Sequence, residues 1–181
     1  MIRSFDGKTP RIAESALVHD SAVIVGDVEI GEGSSVWPGA VIRGDMGSIR
    51  VGRNVHIEDN TVLHGGGLTI GDRVIIGHGA VVEGARIGSN VVVGDNSTIL
   101  FDVEIGDYCL VGAGAMVGQS TRVPDRSLVV GMPAKIRAEL SPRQLEFLDR
   151  QLTEYEALVA EYRRQQSFAK KTAEGESDQE L

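Results

Sequence analysis

Aliphatic residues recur at every sixth position along most of the chain. The series runs through Ile12, Val18, Ile24, Ile30, Val36 and Ile42, resumes at Val51, Ile57 and Leu63, and again at Ile70, Ile76 and Val82. From Ile87 it continues unbroken through Val93, Ile99, Ile105, Val111, Val117, Val123 and Val129. A helix repeats near 3.6 residues and a half-buried strand near two, so this period fits neither. It fits a parallel β-helix of triangular section, in which three six-residue sides close one coil and each marked aliphatic residue points inward. The pattern predicts an all-β solenoid of about seven coils over residues 1–136. Glycine follows many of the marked residues, and aspartate or asparagine often comes next (IGDR, VGDN, IGDY). Those residue types supply the turns between short strands.

The rhythm ends in VVGMPAKIRAEL, and a different one begins at Ser141. SPRQ offers an N-cap serine, a proline in the first turn and a glutamine three residues on. Leu145, Leu148, Leu152, Tyr155, Val159 and Tyr162 then alternate spacings of three and four, which predicts an amphipathic helix over 141–166. Its apolar stripe has to dock on the flank of its own or a neighbouring β-helix. Residues 167–181 (SFAKKTAEGESDQEL) are polar and predicted to be disordered.

Composition agrees with a repeat. Apolar residues make up 41% of the 181 positions, yet aromatics only 4%, and there are 23 glycines. Such a core is filled by valine, isoleucine, leucine and alanine at regular intervals. The formal net charge of -8 argues against an electrostatic grip on nucleic acid or on an anionic membrane. Small molecules and other proteins are the expected partners. Cys109 is the single cysteine and cannot form an internal disulfide. No apolar run approaches a membrane span, and MIRSFDGKTPRIAE does not read as a secretion signal, so a cytoplasmic location is expected.

The repeat also fixes which residues stack, since three marked positions make one coil and coils rise by about 4.8 Å. Arg43 follows Ile42, His64 follows Leu63 and Glu83 follows Val82, so these three form one column. His78 is the second residue after Ile76 and stacks with Asp59 and Asp95 on a different face. Within one subunit His78 is therefore not expected to reach His64 and Glu83. In a threefold trimer the corner of one subunit can face the flank of the next, so a site using both columns is intersubunit. His19 and His56, taken singly, read as solvated surface residues.

The run VWPGAVIRGDMGSIRVGRNVHIEDNTVLH, followed by TIGDRVIIGHGAVVEGARIG and by GMPAK with a helix, resembles the gamma-class carbonic anhydrase family of the left-handed, hexapeptide-repeat β-helix superfamily. The likeness spans residues 10 to 162 and supplies the left-handedness. It implies a homotrimer with zinc at each interface, held by three histidines, two from one subunit and one from its neighbour. His64 matches one ligand and His78 the ligand given across the interface. Glu83 stands where the family has its third histidine. Arg43 and Asp45 match an arginine–aspartate pair bordering the site, and Tyr155 resembles a helix tyrosine that approaches the pocket. Glu58, beside Asp59, stands where relatives often have glutamine, and Met46 where some have an acid.

Two histidines and a glutamate are an accepted zinc set with a fourth position left for water. Zinc lowers the pKa of that water and so generates the hydroxide that carbon dioxide hydration requires. An anionic ligand leaves the metal less Lewis-acidic, so the expected activity is weaker than with three histidines. An oxygen-richer set also suits another divalent ion such as Fe2+ or Co2+. Neighbouring carboxylates raise one another's pKa, which lets Glu58 serve in proton transfer. Alternatively, Arg43 and Arg86 neutralise these acids in interface ion pairs without metal. The expected function is hydration of carbon dioxide to bicarbonate. Two alternatives are an acyltransferase or thioesterase acting on a coenzyme A ester, and a non-catalytic assembly subunit.

Overall fold

The computed structural model describes residues 1–177, with side chains through residue 165. The chain winds into a parallel β-solenoid of about seven coils followed by one helix, as the six-residue period predicts. Every marked residue from Ile24 to Val129 is buried, and Ile12 and Val18 are half-buried against them. A second inward set lies two residues before the first. It includes Ala22, Val28, Ala40, Leu68, Ala85 and Cys109. Each side of the coil is thus a short strand reading in, out, in, the alternation of any β-strand. Where this second position is Ser34, Thr61, Ser97 or Ser127, the buried hydroxyl donates to a turn carbonyl, those of Gly52, Gly77, Gly94 and Pro124 respectively. Hydroxyls therefore sit in the core without a desolvation penalty. Asn54, Asn60, Asn90 and Asn96 hold the left-handed turn conformation at φ 52, 59, 56 and 55°, which asparagine tolerates better than most side chains.

The outward middle residues differ from face to face. One face carries Val23, Val41, Val62 and Val81 in register, followed by Thr98 and Met116. We call it the valine face. The second carries Arg11, Glu29, Arg50, Thr69, Arg86, Glu104 and Arg122 in register. Its charges alternate and pair, Arg50 with Glu29 at 3.2 Å and Arg122 with Glu104 at 3.3 Å. Arg86 also pairs with Glu104 within the chain. The third face presents His56, Ile75, Val92 and Leu110.

Helix α1 (Pro142–Ser177) covers that third face. Leu148 and Leu152 pack on Ile75, Val92, Leu110 and Leu128 of the same chain's solenoid, and Val159 packs with Leu17 and Trp37. The expected cap is present: Gln144 Oε1 accepts from the Ser141 amide at 2.9 Å and from its hydroxyl at 2.8 Å. Arg73 ties the helix down, donating from Nε to Glu156 at 3.0 Å and from Nη2 to Asp149 at 3.1 Å. Of the tail expected over 167–181, no side chain is described, and residues 178–181 lie outside the described residues. Among the described residues no helix is long and apolar enough to cross a membrane.

Candidate metal centre

Two clusters gather the chemistry-bearing side chains. The first stands at the edge of the valine face. Strand pairing aligns Arg43 with His64 and His64 with Glu83, the column the repeat phase predicts. Arg43 Nη2 donates to His64 Nε2 at 2.8 Å. A guanidinium offers only hydrogens, so this contact places a lone pair on Nε2, the form of the ring that can also bind a metal. Asp45 Oδ2 lies 3.3 Å from Arg43 Nε and its Oδ1 3.2 Å from His64 Nε2, so one carboxylate braces both neighbours. Glu83 is exposed one coil further on. The turn after it explains Gly84, which has φ +46°; a Cβ there would meet the Phe101 ring at 2.4 Å. Phe101, half exposed beside this column, and Met46, at 73% exposed after Asp45, give the site an apolar border that the sequence pattern had not singled out for Phe101.

The second cluster surrounds His78, in the turn between strands Val74–Ile76 and Val81–Glu83. Its Nε2 lies 3.1 Å from Glu58 Oε2 and its Nδ1 3.1 Å from Asp59 Oδ2. The His78 amide donates to Glu58 at 3.0 Å and to Asp95 at 3.1 Å. Potential ligand atoms of Glu58, His78 and Asp95 all lie within 4.8 Å of one another. The stack of Asp59, His78 and Asp95 follows the repeat phase, whereas the convergence of Asp95 with Glu58 does not follow from spacing. Glu58 is almost fully buried, and burial pushes its carboxyl above the usual range, opposed by a hydrogen bond from Tyr155. Burial and the adjoining Glu58 push the Tyr155 phenol far up, so it stays protonated and donates to Glu58.

Tyr155 is held from beneath by His56, which stacks on it at 5.4 Å, and edge-on by Trp37 at 6.3 Å. His56 corrects the sequence reading. It occupies an outward position of the coil but has no exposed surface, because α1 lies over it. Burial lowers its pKa to about 4 and keeps the ring neutral. Ser35 Oγ lies 2.9 Å from His56 Nδ1 and accepts the Trp37 indole hydrogen at 2.8 Å. His56 Nε2 has no partner among the described residues.

Within one chain, then, His64 and Glu83 share a column while His78 keeps company with Glu58, Asp59 and Asp95. The donor set suits a divalent cation: an imidazole nitrogen at His64, an exposed carboxylate at Glu83 and an imidazole at His78 already backed by carboxylates, as metal-binding histidines usually are. To present a ring nitrogen outward, His78 has to release one of its two carboxylate contacts.

Known proteins share this fold and a good part of this sequence. The family described as "Bacterial transferase hexapeptide (six repeats)" matches residues 9–44 and 84–119. A carbonic anhydrase of Geobacillus kaustophilus is 39% identical over 158 residues, covering 86% of this chain and 87% of that one. The mitochondrial gamma carbonic anhydrase 2 of Arabidopsis thaliana is 35% identical over 164 residues, 86% of this chain. The chain spans 59% of that plant protein and 61% of its relative gamma carbonic anhydrase 1. The crystal structure of a hexapeptide transferase family protein from Anaplasma phagocytophilum superposes with a TM-score of 0.87 at 32% identity, covering 89% of this chain and 97% of that one. With the coil, the His64 column and the His78 turn in place, the chain belongs to the gamma-carbonic-anhydrase-like family of the hexapeptide-repeat superfamily.

Proposed function

We propose that the protein is a homotrimer holding a divalent metal, zinc in the first instance, at each subunit interface and hydrating carbon dioxide to bicarbonate. The ligands would be His64 and Glu83 of one subunit and His78 of the next. The observation that carries this reading is the pairing of an acceptor nitrogen on His64 with Glu83 one coil away. Both lie at the edge of a valine stripe that no element covers among the described residues. A row of outward valines suits burial against a second copy, because a charged ladder like that of the second face would resist it.

Zinc held there would supply an acidified water at neutral pH. Arg43 orients His64 by donating to its Nε2, and Asp45 holds the Arg43 guanidinium in place. Glu58, desolvated and gripped by Tyr155 and the His78 amide, takes up a proton at its carboxylate and returns it toward solvent beside Asp59. Tyr155 fixes Glu58 in that position by donating its phenolic hydrogen. Glu83 is the reason to expect slower turnover than a three-histidine set gives, because its charge makes the metal a weaker Lewis acid.

The test is elemental metal analysis of the purified trimer beside a Glu83→His variant, followed by stopped-flow hydration assays. The native protein is expected to carry metal and show measurable hydration, and the variant to be faster. Fully loaded native protein with no hydration above buffer would sink the catalytic claim. A trimer free of metal that gains zinc and activity only in the variant would instead mark the native site as lost and favour an assembly subunit. The similarity to a hexapeptide transferase structure supports a second reading, turnover of a coenzyme A ester with histidine as base. Stabilisation of the protein by acyl-CoA in a thermal-shift screen would favour it. The unbroken series from Ile87 to Val129 leaves no inserted loop to wrap a pantetheine arm.

A further inference from the structure

Where the last described turns of α1 pass the first coils, two adjoining hollows of about 390 and 320 Å³ share His19, Trp37 and Tyr162. Together they form a groove along one corner of the solenoid. Its aromatic wall is Trp37 with Tyr162 set perpendicular to it at 5.1 Å, and Tyr155 edge-on at 6.3 Å. The Trp37 indole hydrogen is used inside, on Ser35, which leaves only carbon surface of that ring toward the groove. Tyr162 is 43% exposed and Leu158 beside it 41%, although Leu148, Leu152 and Val159 of the same helix dock on the solenoid. The edge of the groove carries Asp20 and Asp59, with Glu58 and Asp95 behind His78. Among the described residues no lysine or arginine lines either hollow.

We propose that this groove binds a small organic cation with an alkylammonium head. Aromatic rings attract a cation through their negative faces, and the effect is larger where water is partly excluded. Asp59 shares the His78 ring with Glu58, and Asp20 and Asp95 leave the rim with an excess of negative charge that attracts the same cation and repels anions. A phosphate-bearing or acidic ligand would meet that excess. A neutral apolar ligand would use the aromatic wall but gain nothing from the acids. The feature that selects the ligand is thus the conjunction of Trp37 and Tyr162 with Asp20; His64 and Glu83 lie outside the groove, while His78, the third proposed metal ligand, lines its second hollow.

The experiment is calorimetric titration of the full-length trimer with choline and with 3,3-dimethyl-1-butanol, its neutral isostere. Choline is expected to bind saturably and about tenfold or more tightly than the isostere, the size of a partly desolvated cation–π contribution. Tyr162→Leu keeps apolar bulk at an exposed helix position and should weaken choline about tenfold while leaving the isostere unchanged. Asp20→Asn should weaken choline a few-fold, and less at high salt, as for any partly screened charge. Equal binding of the two probes, no saturable choline binding, or an unchanged Tyr162→Leu variant would each overturn the proposal. Repeating the titration after dialysis against a chelator separates it from the metal reading: choline affinity should survive metal removal, and a loss of binding there would count against a groove independent of the metal.

Discussion

The valine face and the helix face are built from the same coil, strand for strand, yet only one of them is finished within the chain. On the helix face the outward residues His56, Ile75, Val92 and Leu110 lie under Leu148, Leu152 and Tyr155. On the valine face Val41, Val62 and Val81 stand in the same middle position with no helix above them. The backbone does not distinguish the two, since both are in–out–in strands in parallel register. The identity of the middle residue does, together with where α1 happens to leave the last coil. The ladder face shows the third solution, alternating charges that need no cover. A solenoid thus sets its inward residues by repetition and leaves each outward column free to be a docking surface, a solvent surface or a site. The metal ligands proposed here stand at the border of the one apolar column left open.

If the valine face is a subunit interface, a charge placed at its centre should have the largest effect. Val62→Glu points away from the core, so the coil should still form, but the particle measured by light scattering should fall from about three chains to one, since burying an unpaired charge costs several kcal/mol. Metal content should fall with it. A trimer that survives Val62→Glu would move the interface to another face. The helix face should respond differently. Leu148→Ala empties a fully buried position and should lower stability by about 2–5 kcal/mol in urea unfolding, without dissociating the trimer. Loss of the trimer in that variant would mean that the helix, and not the valines, holds the subunits together.

A smaller, pH-dependent effect singles out His56. Its folded pKa of about 4 lies below the ordinary value of 6.5. The unfolded chain therefore binds a proton first as pH falls, and the contribution is complete above pH 6.5 and lost between there and about pH 4. Over that window stability should drop by about 3 kcal/mol from this group. The urea midpoint followed against pH should lose most of that slope in His56→Phe, and an unchanged slope would show that α1 does not seal the ring. The smallest effect is at the cap. Ser141→Ala removes the N-cap hydroxyl and should cost about 1 kcal/mol, again with the trimer intact.

Much of this was legible before any coordinates. The six-residue period located the inward aliphatic set from Ile24 to Val129, and its phase placed Arg43, His64 and Glu83 in one column and Asp59, His78 and Asp95 in another. Serine, proline and glutamine at 141–144 marked the start of the helix. The second inward set was not legible as a hydrophobic signal, because alanine, serine and threonine occupy many of its positions where the corner of the coil is narrow. His56 was misread for a related reason: its position in the coil is outward, and only a helix that returns about ninety residues later buries it.

Repetition determines what is local. Residues one coil apart meet whatever else the chain does, so inward burial and column membership follow from spacing, and so do the turns that glycine and asparagine make. The covering of an outward column is long-range. It depends on where α1 lies, which Arg73 fixes through Glu156 and Asp149 more than seventy residues away. That placement brought Tyr155 to Glu58, shut His56 from water and opened the aromatic groove beside Asp20 and Asp59. It left the valine face, with His64 and Glu83 at its edge, as the apolar surface the chain does not cover for itself.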